Sequence, residues 1–158
     1  MFNVGDRVVY PMHGAGIIEA IEEKEILGEI RKYYVMRIPN GDMRVLIPLD
    51  NVEESGLREV IDEQQISEVL SVLQDREDVS NPNWNRRYRA NLEKIKTGDI
   101  LEVAEVVRNL SLREREKGLS TGERKMLDNA RQILISELVL AKGTGEEQME
   151  IWLEGALA

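Results

Sequence analysis

The chain has no cysteine and a single histidine among its 158 residues. The first absence removes disulfides, thiolate metal sites and cysteine nucleophiles together. The second leaves His13, in the turn-like run Pro11-Met12-His13-Gly14, without the partners a zinc site needs. Its expected role is a turn residue bonding to backbone. Aromatic residues are scarce, with one Phe and two Trp. No apolar run approaches the roughly 18 residues of a membrane span. The first residues, MFNVGDRVVYP, show no cationic leader before an apolar stretch, so the expected location is cytoplasmic. Gly14-Ala15-Gly16 lacks the later glycine and following helix of a phosphate loop. The serines have no base placed to activate them. The expectation is therefore neither an enzyme nor a holder of metal or cofactor.

What is present is a 42% apolar content, enough for a packed core, and an uneven charge. The net charge is -9, yet residues 81–96, NPNWNRRYRANLEKIK, hold five bases against one acid. Residues 54–80, just before them, carry eight acids and two bases. Residues 97–142 balance at eight each, the pattern of solvated helix faces. The basic segment differs because Trp84 and Tyr88 are interleaved with Arg86, Arg87 and Arg89.

Periodicity divides the chain. Short β-rich runs at Arg7-Val8-Val9-Tyr10, from Ile17 to Ile26, from Lys32 to Ile38 and from Met43 to Ile47 predict antiparallel strands. Leu27-Gly28 and Asn40-Gly41 read as hairpin turns, the latter the strongest type I′ signal. The predicted first unit, residues 1–53, is a small Tudor- or SH3-like antiparallel barrel. The second, residues 58–158, is all-α with about five helices, giving a segregated α+β protein. Ile66, Val69, Leu70 and Leu73 form one helix face, and Trp84, Tyr88, Leu92 and Ile95 another. Asp99 is placed to cap a third helix, and Ser120 with Glu123 forms a capping-box pattern before a fourth. Thr144 with Glu147 repeats that pattern before a last helix bearing Met149, Trp152, Leu153 and Ala156.

Two readings of Trp84 follow from spacing. It anchors the core, or it projects from the first helical turn among arginines suited to phosphate. Four cations neutralising phosphates would give a log–log salt slope near about -3.6, roughly a hundredfold loss between 50 and 200 mM. Such a patch needs a second anchor.

Three blocks, VGDRVVYPMHGAG, NWNRRYRANLEKIKTGD, and EVAEVVRNL with KGLSTGERKMLDNARQIL, together resemble the CarD/CdnL family of bacterial transcription regulators. The resemblance implies a Tudor-like first domain that binds the RNA polymerase β subunit. It implies a helical domain touching promoter DNA at the upstream edge of the melted minus-ten region. Trp84 would be a minor-groove wedge that stabilises the open complex, with Arg86, Arg87 and Arg89 as DNA contacts. Lys24 falls where the family often places a cation against polymerase. A second family arginine aligns with Leu46, and Arg44, two residues away, is the candidate substitute. The expected assembly is a monomer in solution. Two alternatives stand beside this one. One is a polymerase adaptor without DNA contact, and the other a methyl-lysine reader using Tyr10, Tyr33 and Tyr34.

Overall fold

The structure, a computed structural model, describes residues 2–39, 42–76 and 81–158. Strands β1 (Arg7–Tyr10), β2 (Gly14–Ile26), β3 (Glu29–Ile38) and β4 (Met43–Pro48) pair antiparallel in sequence order. One helical turn, α1 (Val52–Ser55), follows, and then β5 (Arg58–Glu59) returns to pair with β1. The sheet order is β4-β3-β2-β1-β5. Its last strand thus lies beyond residue 53, inside the stretch assigned from sequence to the helical half. Two residues are too few to show a period, so alternation could not have revealed it.

Alternation is broken once in β2, by a bulge between Ile18 and Ala20, and holds across the pairing of β3 with β4. Val45 and Ile47 on β4 pair with Met36 and Tyr34 on β3 and share their face. That face closes over Val8, Ile18, Ile38 and Leu57 in a small apolar core. Leu27 and Gly28 both take positive φ, 53° and 81°, in the tight turn joining β2 to β3. The Asn40-Gly41 turn lies outside the described residues.

Five helices follow: α2 (Ile66–Gln74), α3 (Trp84–Lys96), α4 (Ile100–Glu116), α5 (Thr121–Lys142) and α6 (Glu146–Leu157). The side chains of Asn83, Asp99 and Ser120 accept from backbone N–H groups and start α3, α4 and α5. The Thr144–Glu147 capping box does not form. Gly145 holds the N-cap position without a side-chain bond, and Thr144 Oγ1 is buried without a partner. A reciprocal box forms instead between Asp62 and Gln65. Helix α4 sits at the centre of the bundle, with Val103, Ala104, Val106, Val107 and Leu110 almost wholly buried. A helix apolar on most sides must be covered on most sides, and α2, α3 and α5 cover it. Among the described residues, no helix is long and apolar enough to cross a membrane.

Candidate functional site

The site forms where the N-termini of α3 and α5 meet. Trp84 is the first residue of α3 and is 42% exposed. It is neither a core anchor nor a free side chain. Its ring stacks on Tyr88 one turn along, with centroids 5.0 Å apart and planes 17° from parallel. Its indole N–H donates to Ser120 Oγ at 3.0 Å, and Ser120 is the N-cap of α5. Gly122 lies beneath both rings, where an added Cβ would sit 3.7 Å from each. The indole is therefore held on one edge and one face, and the remainder is open to solvent.

Beneath this platform lies a buried ion pair. Arg87 and Glu123 are 3% and 2% exposed. Arg87 Nε and Nη2 donate to the two Glu123 carboxylate oxygens at 2.8 and 3.3 Å. Arg87 Nη1 donates to the carbonyls of Asn81 and Pro82, which fixes the approach to α3. Burial alone would raise the Glu123 pKa, but the hydrogen bond and charge of Arg87 outweigh it. Arg113 and the Ser120 hydroxyl add to that, and the carboxyl ends below its ordinary value. Ser120 Oγ also lies 3.4 Å from Glu123 Oε1. The ion pair thus supports the hydroxyl that supports Trp84.

The expectation that Arg87 is a DNA contact is corrected by this geometry. A guanidinium buried against a carboxylate cannot reach a phosphate without leaving an unpaired buried charge. A sequence signal for this existed, because position 87 falls between 84 and 91 on the buried stripe of a 3.6-residue helix. Arg86 and Arg89 lie on the other side. Both are exposed, and neither has an ion pair among the described residues. Lys125, one turn into α5, is likewise exposed and unpaired there. Ser120, Gly122 and Tyr88 were not singled out for this site from sequence. Tyr88 is an i, i+4 neighbour of Trp84, but the links from Ser120 and Gly122 to Trp84 span 36 and 38 residues and have no local signature.

Two helix N-termini with free N–H groups, unpaired arginines and a half-open indole make a surface suited to a polyanion with stacked rings.

The family described as CarD, C-terminal domain, matches residues 68–154, and the CarD-like/TRCF RID domain matches residues 2–61. YdeB of Bacillus subtilis (strain 168), whose name proposes a transcription factor, is 49% identical over 150 residues. The match covers 95% of this chain and 98% of that protein. The chain belongs to the CarD family. A solution structure of the 72-residue N-terminal domain of Myxococcus xanthus CarD is 36% identical over 37% of this chain and 79% of its own. Its TM-score is 0.33, too low for the overlay to bear on the fold. Family membership gives the protein a role in transcription and a first domain of the RNA polymerase-interacting kind. It is a family of transcription regulators, not of enzymes.

In this CarD protein the three residues expected to face polymerase share one face of the sheet. Lys24 pairs across from Arg31, Leu46 from Val35 and Arg44 from Arg37. Alternation along β2, β3 and β4 places all six on the side opposite the small core. Lys24 is exposed, and Leu46 is 39% exposed. Leu46 is therefore not a core residue. Arg44 is exposed as well, with Nε 3.4 Å from Glu19 Oε2, and Glu19 also holds Arg37. The tyrosines do not form a cage. Tyr34 is buried and exchanges hydrogen bonds with the Phe2 backbone, while Tyr10 stacks on His13. His13 Nδ1 lies 3.1 Å from the Pro11 carbonyl, a turn role.

Proposed function

We propose that this protein docks on the RNA polymerase β subunit through the sheet face bearing Lys24, Arg44 and Leu46. From there, as a monomer, it stabilises the promoter open complex. Trp84 acts as a minor-groove wedge at the upstream edge of the melted minus-ten region, and Arg86 and Arg89 contact flanking phosphates. The observation that carries the reading is the half-open indole pinned between Tyr88 and Ser120 beside two unpaired arginines. A wedge must be rigid before insertion, because an ordering cost at insertion would subtract from its gain. It also enters most cheaply where base steps are already unstacking, since parting a stacked step costs about a few kcal/mol.

With Arg87 withdrawn and Lys94 and Lys96 paired with Glu105 and Glu93, two arginines neutralising phosphates give a salt slope of about -1.8, roughly a tenfold loss between 50 and 200 mM. That is too weak to act without a tether. Polymerase supplies one, converting the DNA contact into an intramolecular event. Backbone contacts and a ring without base-edge readout imply low sequence specificity.

The test is open-complex lifetime on one promoter with wild type and Trp84→Ala, at matched polymerase occupancy. Wild type is expected to lengthen the lifetime and the variant to bind polymerase without doing so. An unchanged lifetime effect in Trp84→Ala would leave the polymerase adaptor without DNA contact as the surviving reading.

A further inference from the structure

We infer that Arg58 is a positioning residue that fixes the Trp84 end of the helical half at a set distance and angle from the sheet. This rests on the polymerase-and-DNA reading above, which requires one protein to meet two surfaces at once.

Arg58 lies on β5, paired with Val9 at the edge of the sheet. A guanidinium has five N–H groups in a rigid fork, and here five hydrogen bonds account for them. Nε and Nη2 both donate to the Gly98 carbonyl, at 2.9 and 2.7 Å. Nη1 and Nη2 each donate to one Glu137 carboxylate oxygen, both at 2.7 Å. The remaining bond runs from Nη1 to the Glu59 carbonyl at 2.9 Å. Glu137, 2% exposed, also accepts from the Ile61 backbone N–H at 2.9 Å.

The two partners outside the local strand occupy particular places. Gly98 closes the C-terminal end of α3, the helix that begins at Trp84. Glu137 lies on α5, the helix whose N-cap is Ser120. One side chain of the sheet thus grips both helices that carry the wedge site, at the ends remote from it. Other contacts follow the same seam. Gly98 has φ of 73°, and a Cβ there would sit 2.7 Å from Pro11 Cγ. The Ala15 N–H donates to Ser136 Oγ at 2.8 Å, and Arg7 Nη1 to the Leu140 carbonyl at 2.6 Å. Ile133, Ser136, Glu137 and Leu140 make one stripe of α5 at i, i+3, i+4 and i+7. Ser136 and Glu137 interrupt an otherwise apolar run, and both are buried.

Burying a charged pair is weak evidence for stability, because an apolar pair of similar size usually does as well. What a saturated fork supplies is direction. Two helices meeting a sheet through oil alone can slide, whereas directed bonds to the Gly98 carbonyl and both Glu137 oxygens hold one register. A two-site contact gains from tethering only when the span matches the distance, and angstrom-scale misplacement can cost about a hundredfold.

The experiment uses full-length protein. Because the chain has no cysteine, Glu54→Cys on α1 and Ala90→Cys on α3 give two unique spin-label sites, both exposed. The distance distribution between them is measured in the wild-type and Arg58→Ala backgrounds. Unlabelled proteins are compared for polymerase affinity and open-complex lifetime. Arg58→Ala is expected to keep polymerase affinity within about twofold, since the sheet face is untouched. Its distance distribution should broaden or shift, and the concentration for half-maximal lifetime extension should rise at least about tenfold. A wild-type dose response, or an unchanged distance distribution, would overturn the inference. Should Arg58→Ala not fold, Arg58→Lys carries the same test, because an ammonium on a flexible stem has three donors and no rigid fork where Arg58 uses five. Trp84→Ala run beside them separates the two claims. If it leaves lifetime extension intact, the DNA reading fails. If it abolishes the extension while Arg58→Ala behaves as wild type, only the positioning role fails.

Discussion

Replacing Arg87 with alanine separates a structural arginine from a DNA contact. The side chain is 3% exposed and its partner Glu123 2%. Truncation leaves the Glu123 carboxylate buried with only Ser120 and the more distant charge of Arg113 to offset it. Breaking one side of a buried pair costs about 3–5 kcal/mol. For a domain of this length each kcal/mol moves the melting temperature by about 2–4 °C, so the expected drop is roughly 6–20 °C. The assay is thermal unfolding followed by circular dichroism at neutral pH and again in acid. The folded Glu123 carboxyl sits below its ordinary range, so the unfolded chain binds the extra proton. Its share of stability is therefore full above the unfolded carboxyl pKa of about 4.3 and disappears as pH falls through the lower folded value. Arg87→Ala should flatten that acid limb as well as lower the melting temperature. The double variant Arg87→Met with Glu123→Leu should recover most of the loss, since a packed apolar pair of similar size is about neutral. A melting temperature within about 2 °C of wild type, with weaker and less salt-dependent DNA binding, would refute the burial argument. Arg87 would then rejoin Arg86 and Arg89.

Trp84→Ala should cost no more than about 1 kcal/mol, because nearly half the ring is already in water. Trp152→Ala, which removes a ring packed against the helical core, should cost about 3 kcal/mol by chemical denaturation. A reversed order would place Trp84 in the core. Ser120→Ala removes both the N-cap of α5 and the hydrogen bond to the indole. A loss of about 1 kcal/mol is expected, together with lower tryptophan fluorescence anisotropy, and unchanged anisotropy would mean that stacking on Tyr88 suffices. Lys24→Glu should weaken polymerase capture by at least about fivefold while leaving the melting temperature within about 2 °C. Full capture would move the docking surface off this face.

Local chemistry made much of the architecture legible. Strand alternation marked β1 to its terminal residues, and the i, i+4 recurrence of Trp84, Tyr88, Leu92 and Ile95 marked α3. Asp99 and Ser120 announced the helices they cap. These are short-range effects: a period of two or 3.6, a side chain reaching a backbone N–H two or three residues on. The failures were also physical. Thr144–Glu147 has the letters of a capping box, but the chain turns into α6 one residue later. β5 is too short to carry a period, and its existence depends on β1 lying open beside it.

The functional residues divide along the same line. The sequence by itself determined that a basic segment with one tryptophan opens a helix in an otherwise acidic chain, and its motifs pointed to the family. Helical spacing set Arg87 apart from Arg86 and Arg89, but it could not name the partner that would make burial of a charge tolerable. That partner is Glu123, 36 residues away, whose carboxylate withdrew Arg87 into the interior. Nor could it show that Ser120 holds the indole, or that Arg58 and Glu137, 79 residues apart, join sheet to helices. Each of those contacts depends on two elements distant in sequence being brought together by burial of their apolar faces. Periodicity fixes which face of an element turns inward, and only the packed structure fixes what that face meets.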